Sequence, residues 1–112
     1  MKLSVIIPCF NEVSSIETII MSVNDAIDTI KDLVEESEII VVDDGSKDNT
    51  ARIVEKENII LIKHKQNQGK GAAMQTGCDF AISQGADNLV LIDSDGQHLP
   101  EEIPRFLEAL KK

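Results

Sequence analysis

Basic residues are scarce: 11 Lys and Arg stand against 20 Asp and Glu, a formal charge of −9 at pH 7. That balance argues against a nucleic-acid surface, which needs concentrated positive charge to face phosphate. Cysteine is scarcer still. Cys9 and Cys78 are too few for a disulfide framework and both fall in apolar contexts, so they are expected to be buried free thiols in a reducing compartment. No apolar run reaches the ~18 residues of a membrane span. A signal-peptide pattern is missing too, because Pro8 and Asn11-Glu12 interrupt the first apolar stretch, so the chain is expected to be cytoplasmic with no membrane span. Six Gly and three Pro do not suggest disorder, and there is no linker, repeat or low-complexity segment. What remains is 112 residues, 42% hydrophobic and 28% charged, sufficient for one domain with its own core.

The most informative stretch is Leu89-Val-Leu-Ile-Asp93-Ser-Asp95-Gly-Gln97-His98, an apolar run that stops in two carboxylates one residue apart. Asn88 to Ile92 reads as a strand covered on both faces, because consecutive branched apolar residues are bounded by polar punctuation. Its carboxyl end delivers Asp93 and Asp95 to a sheet edge, and in an open parallel α/β sheet that edge holds the ligand. The two carboxylates, with Gly96 allowing a sharp turn and Gln97 adding an amide oxygen, make an all-oxygen set suited to Mg2+ or Mn2+ completed by phosphate oxygens. Taken alone, the same residues also fit a helix cap and a solvated turn.

Other segments reinforce the first reading. Leu3 to Ile7 is a β-branched strand, expected to end at Pro8 because proline cannot continue a ladder. Ser14 and Glu17 have capping-box spacing ahead of Ile16, Ile19, Ile20, Val23, Ile27, Ile30 and Val34, an amphipathic helix. Ser37 to Val42 is a second strand running into Asp43-Asp44-Gly45-Ser46. Asp48 or Asn49 caps a short helix through Ala51, Ile53 and Val54, which Asn58 stops. Ile59 to Ile62 is a third strand, followed by a polar connection on which His64 is expected to be exposed. Asn67 to Ala73 opens a third helix with a buried stripe of Ala73, Met74, Gly77, Cys78, Ala81 and Ile82, its small residues permitting close approach to the sheet. A last helix starts at Pro100, with Ile103, Phe106, Leu107 and Leu110 as its apolar stripe.

The fold class is α/β: a Rossmann-like, open, mainly parallel sheet of about four strands with helices on both faces and right-handed crossovers. In such a sheet Pro8 to Glu12, Asp43 to Ser46, Asn67 to Gly71 and Asp93 to Gln97 converge on one edge. Packing requires no such collection, and the carboxylates among them would repel one another without a bound cation.

Four motifs carry a family resemblance: Val5-Ile-Ile-Pro8-x-x-Asn11-Glu12, Val41-Val-Asp43-Asp44-Gly45-Ser46-x-Asp48-x-Thr50, Asn67-x-Gly69-Lys70-Gly71-Ala72-Ala73, and Asp93-Ser-Asp95-Gly96-Gln97-His98-x-Pro100-Glu101. In this order they resemble family 2 glycosyltransferases of the GT-A fold, and within them the dolichol-phosphate or polyprenyl-phosphate mannosyltransferase-like enzymes. The resemblance implies that residues 1–112 are the nucleotide-binding half of that fold, taking a GDP- or UDP-linked sugar. Pro8, Asn11, Glu12, Asp43 and Asp44 would then line the base and ribose pocket. Gly69 and Gly71 would let backbone approach the nucleotide, with Lys70 as a nearby cation. Asp93, which would also lie against the donor, joins Asp95 and Gln97 in holding the Mg2+ or Mn2+ that bridges the diphosphate. A polyprenyl phosphate is the implied acceptor, and inversion by direct displacement the implied chemistry. A tight turn with a cap remains the local alternative for Asp43 to Ser46, and a solvated side chain for Lys70.

Two further classes gather aspartates at strand ends. A receiver-like signalling domain needs its acidic pair after the first strand, where this chain has Pro8-Cys-Phe-Asn-Glu12, and a lysine after a fifth strand. A haloacid-dehalogenase-type phosphatase opens its domain with Asp-x-Asp and continues to Thr or Val, whereas Gly96-Gln97 follows Asp95. Gly71 after Gly69-Lys70 excludes a Walker loop, and Gly96 comes too early for an EF-hand.

In the resembling family the acceptor half and the catalytic base lie C-terminal to Asp-x-Asp, so no catalytic residue is assigned among these 112. Uncovered apolar surface is expected to promote self-association. The expectation is that the chain binds metal and nucleotide without transferring sugar, and sugar transfer by the purified 112 residues would contradict it.

Overall fold

The computed structural model describes residues 2–57 and 59–92. Strand β1 (Lys2–Cys9) leads to helix α1 (Ile16–Asp28), β2 (Glu36–Asp43), α2 (Thr50–Glu55), β3 (Ile60–Lys63), α3 (Lys70–Ser83) and β4 (Asn88–Leu91). The four strands form one parallel sheet in the order β3-β2-β1-β4. Ile6 pairs with Ile40 on one side and Leu91 on the other, so β1 and β2 are the central strands. The expected architecture is therefore present, and every described strand delivers its carboxyl end to the same edge. The last helix and the stop at Asn58 lie outside the described residues. Among the described residues no helix is long and apolar enough to cross a membrane.

Two apolar layers hold the sheet because strand side chains alternate between its faces. Leu3, Val5 and Ile7 of β1, with Ile39 and Val41 of β2, face α1 and α2, where they meet Ile16, Ile20, Val23 and Val54. Ile6, Ile40 and Val42 face the other way, onto Ala73 and Ala81 of α3. A fully buried isoleucine or leucine contributes on the order of 2–3 kcal/mol. The fully buried β-branched runs of the central strands are thus the main source of cohesion.

Local chemistry moves several boundaries. Pro8 does not end β1: it pairs with Val42, and Cys9 pairs with Asp43. The Ile6 carbonyl accepts from the Ile92 amide on the β4 side, and the Cys9 carbonyl accepts from the Asp44 amide on the β2 side. Alternation turns the missing amide of Pro8 away from β2, so the β1–β2 ladder forfeits no bond.

Helix α1 begins after Ser15, whose hydroxyl bonds Glu12 Oε2 at 3.1 Å, while the Glu12 carbonyl accepts the amides of Ser15 and Ile16. The Ser14–Glu17 capping box does not form, and both residues are exposed. The helix also ends before Ile30 and Val34. Thr29 turns its hydroxyl onto the Ala26 carbonyl at 2.6 Å, and the tighter bonds Ile30 to Ile27 and Leu33 to Ile30 follow. Ile30 nevertheless stays buried.

Helix α3 lies against the sheet through Ala73, Gly77 and Ala81, three small residues four apart. A Cβ on Gly77 would stand 2.5 Å from Ile6 Cγ2 and 3.2 Å from Val42 Cγ2. Ile82 is not part of the buried stripe; at 62% exposure it points away, because the face set by positions 73, 77 and 81 excludes its neighbour. Phe80 packs against the sheet layer instead. Cys9 is buried, Cys78 half-buried, and both are free thiols.

Gly77→Val should destabilise the chain by about 1–3 kcal/mol through overpacking. Gly71→Ala, on the same helix with nothing within 4 Å of a built Cβ, should be neutral or slightly stabilising. Urea denaturation of both variants checks the pair.

Candidate functional site

Three loops meet at the carboxyl edge. The loop after β1 is bonded onto the loop after β2. The Asn11 amide donates to Ser46 Oγ at 2.8 Å, and Asn11 Oδ1 accepts from the Lys47 amide at 2.9 Å. Next, the Glu12 amide donates to Thr50 Oγ1 at 3.0 Å, and the Val13 amide to Asp48 Oδ2 at 3.3 Å. Asn11 adopts φ 53°, the left-handed region that asparagine tolerates better than most residues. Asp48 holds the start of α2 through its Oδ1, which accepts the Thr50 amide at 2.9 Å and also the Thr50 hydroxyl. Desolvation would raise the Asp48 carboxyl, but these bonds from Thr50 and Val13 hold it below the ordinary aspartate range.

The loop after β3 is fastened by one carboxylate. Asp44 is 3% exposed. Its Oδ1 accepts the Gln68 amide at 2.9 Å and faces His64 Nδ1 at 2.8 Å, and its Oδ2 accepts the Gly69 amide at 2.9 Å. Burial alone would push this carboxyl up. The Gln68 amide, the His64 ring and the Gly69 amide outweigh it and hold Asp44 below its ordinary value. Backbone contact is equally close: a Cβ on Gly45 would stand 2.7 Å from the Asn67 nitrogen, and Gly45 takes φ 79°. Any other residue there would part the second and third loops.

Asp43 is also 3% exposed and accepts the Ser46 amide on Oδ1 at 3.1 Å, closing its own turn. Lys70 is the first residue of α3, preceded by Gly69 at φ 102°. Among the described residues a Cβ at Gly69 or Gly71 would meet nothing within 4 Å, so nothing described there closes the entrance to α3. Beside it a cleft of about 610 Å³ opens between Phe10, Asp43, Lys47, Lys63, Lys65 and Asn67. The Cys9 thiol beneath is pushed far up, first by burial and then by Asp43 and Glu12, so it is an inert packing group.

The structure thus brings Pro8, Asn11, Glu12, Asp43, Asp44, Gly69, Lys70 and Gly71 to one edge. The Asp44 carboxylate is engaged inside the protein as the anchor of the third loop. Asp93, Asp95 and Gln97 lie outside the described residues; β4 and the bond from the Ile92 amide to the Ile6 carbonyl point the chain toward this edge just before Asp93.

His64 is the principal residue that sequence reasoning misplaced. Its side chain is 8% exposed, not solvated on a loop. The signal was in the register: Asp43 pairs with Lys63, which sets His64 next to Asp44. Phe10, 41% exposed at the same edge, was passed over because a lone aromatic in a loop has no pattern.

The family model described as glycosyl transferase family 2 matches residues 4–112. The chain belongs to this family. An undecaprenyl-phosphate mannosyltransferase of Micrococcus luteus is 34% identical over 99% of the chain and 45% of its own length. A UDP-N-acetylglucosamine–dolichyl-phosphate N-acetylglucosaminyltransferase of Methanococcus voltae is 35% identical over 94% of the chain, again 45% of its own length. The chain spans less than half the length of these relatives. Among solved structures, glucosyl-3-phosphoglycerate synthase from Mycobacterium tuberculosis, in complex with Mn2+, UDP and glucosyl-3-phosphoglycerate, superposes with a TM-score of 0.71. It is 30% identical over 97% of this chain and 39% of that one. The described residues of this family 2 chain are thus a four-stranded parallel α/β unit of the GT-A type. Membership sets aside the receiver and phosphatase readings.

The folded carboxyl of Asp44 lies below its ordinary value of 3.8, so its stabilisation is present above that value and is lost as pH falls through the folded value. Asp44→Asn should cost about 1–3 kcal/mol at neutral pH and leave a stability profile flatter below about pH 4. Urea denaturation between pH 3 and 7 checks both the size and the slope.

Proposed function

We propose that this chain is the donor-binding part of a glycosyltransferase that passes a sugar from a nucleoside diphosphate to a polyprenyl phosphate. The observation that carries this reading is the meeting of three loops at one sheet edge, cross-bonded through Asn11, Asp48 and Asp44, with β4 running toward the same edge. A scaffold so tied presents its edge groups without reorganisation, which preserves binding energy.

The roles divide by chemistry. Phe10 offers an exposed flat face beside the cleft, suited to a nucleobase, and Asp43 is an acceptor in the same lining. Gly69 and Gly71 leave room for phosphate at the amino end of α3, where the helix dipole favours an anion. Lys70, exposed on the first turn, adds a cation there. Asp44 contributes by holding Gln68 and Gly69 rather than by touching the nucleotide.

Asp93, Asp95 and Gln97 supply only oxygen, the donor set for Mg2+ or Mn2+. When bound there, such an ion would neutralise charge on the departing nucleoside diphosphate. Relatives named for undecaprenyl-phosphate and dolichyl-phosphate transfer support the lipid-phosphate acceptor, and UDP-bound neighbours support a nucleotide donor.

Calorimetric titration with UDP and GDP, each with and without Mn2+, tests the proposal. Metal-dependent binding of one nucleotide is expected, weakened at least tenfold in Asp95→Ala. Absence of binding in every combination would contradict the donor-site reading.

A further inference from the structure

His64 ties together elements that the proposed site needs in fixed relation. Its amide donates to the Asp43 carbonyl at 2.9 Å, anchoring it to the end of β2. Its ring is buried, with Nδ1 at 2.8 Å from Asp44 Oδ1 and Nε2 at 2.9 Å from Thr76 Oγ1. Thr76 sits on α3 and donates its hydroxyl to the Ala72 carbonyl at 3.0 Å. The ring therefore spans from β2 to the body of α3, while Asp44 reaches the two amides immediately before Lys70.

An imidazole paired at both nitrogens has a single ring orientation, and it restrains the carboxylate it faces. Asp44 Oδ1 is shared between the ring and the Gln68 amide, leaving Oδ2 for the Gly69 amide. Without the ring, rotation of the carboxylate would let it satisfy one loop amide at the expense of the other, and the Gln68–Gly69–Lys70 turn would lose its single conformation.

We propose that His64 is a positioning residue of the donor site: it orients the Asp44 carboxylate, braces it against Thr76 on α3, and so sets the Gln68–Gly69–Lys70 turn and the affinity for nucleotide. The affinity clause rests on the donor-site reading given above; the positioning of the turn does not.

A histidine that merely filled space would be replaceable by anything that packs. The two ring contacts separate these cases, because an asparagine amide can stand in for Nδ1 whereas a glutamine amide reaches the place of Nε2. The test compares His64→Ala, His64→Asn, His64→Gln and Thr76→Val by amide hydrogen exchange at Gln68 and Gly69 and by titration with UDP and GDP in the presence of Mn2+. In His64→Ala both loop amides should exchange about tenfold faster, while the central-sheet amides of Ile6 and Val41 keep their protection. Nucleotide binding should weaken by the factor by which the formed turn loses population, and a fall to a tenth corresponds to about tenfold. His64→Asn should recover both readouts to within about threefold, His64→Gln should not, and Thr76→Val, which keeps the Nδ1 contact, should also stay within about threefold.

Recovery no better in Asn than in Gln would overturn the proposal, and this comparison stands even where the alanine variant does not fold. So would a folded His64→Ala with unchanged loop protection, or with faster exchange but unchanged affinity. If the unaltered chain binds no nucleotide, it is the donor-site reading that fails, and the exchange measurements alone decide whether His64 positions the turn.

Discussion

The arrangement of the carboxyl edge depends on one buried carboxylate. Asp44 has left water almost completely, a placement that is unfavourable for a charge unless hydrogen bonds replace its hydration. Two backbone amides and an imidazole do so, and in doing so they fix where the β3–α3 connection runs. The same residue donates its own amide to the Cys9 carbonyl, and its carbonyl accepts from Asn67 Nδ2 at 3.3 Å. One aspartate thus joins the ends of β1 and β2 to the entrance of α3.

The sheet makes that placement possible. Parallel strands covered on both faces bring all carboxyl ends to one edge, where loops of different sequence separation can cooperate. Helix α3 must come close for its first turn to reach Asp44, and Gly77 against Ile6 and Val42 sets that distance. Stability and site geometry are therefore connected. A side chain added at Gly77 would lift the helix whose first turn carries Lys70, and one at Gly45 would separate the two loops that Asp44 joins.

Much of this was legible in the sequence, for identifiable reasons. The runs Leu3–Ile7, Glu38–Val42 and Leu89–Ile92 are β-branched or branched apolar and admit few other readings, and α1 follows its three- and four-residue steps closely up to Asp28. The convergence of Asn11, Asp43, Asp44 and Gly69 on one edge followed from parallel topology alone. Features decided by neighbours distant in sequence were not legible. Pro8 continues β1 because its missing amide faces away from β2, whose pairing runs on to Cys9 and Asp43, which only the β1–β2 register reveals. His64 lies in a polar run, Lys63 to Gln68, and is buried because α3 crosses above it. Ser15 and Glu12, rather than Ser14 and Glu17, shape the entry to α1, since Glu12 is held in place by Thr50 at the start of α2.

The chain has another sizeable cleft, about 490 Å³, at the opposite edge of the sheet near Asn24, Lys31, Glu36 and Ile59. Its acidic walls suit a nucleotide poorly, so the location of binding tests the central claim directly. Amide chemical shifts should be recorded during titration with UDP and GDP in the presence of Mg2+. The account predicts changes concentrated at Phe10 to Glu12, Asp43 to Ser46 and Gln68 to Gly71. Changes centred on Asn24, Lys31 and Glu36, with the carboxyl-edge amides unmoved, would contradict it.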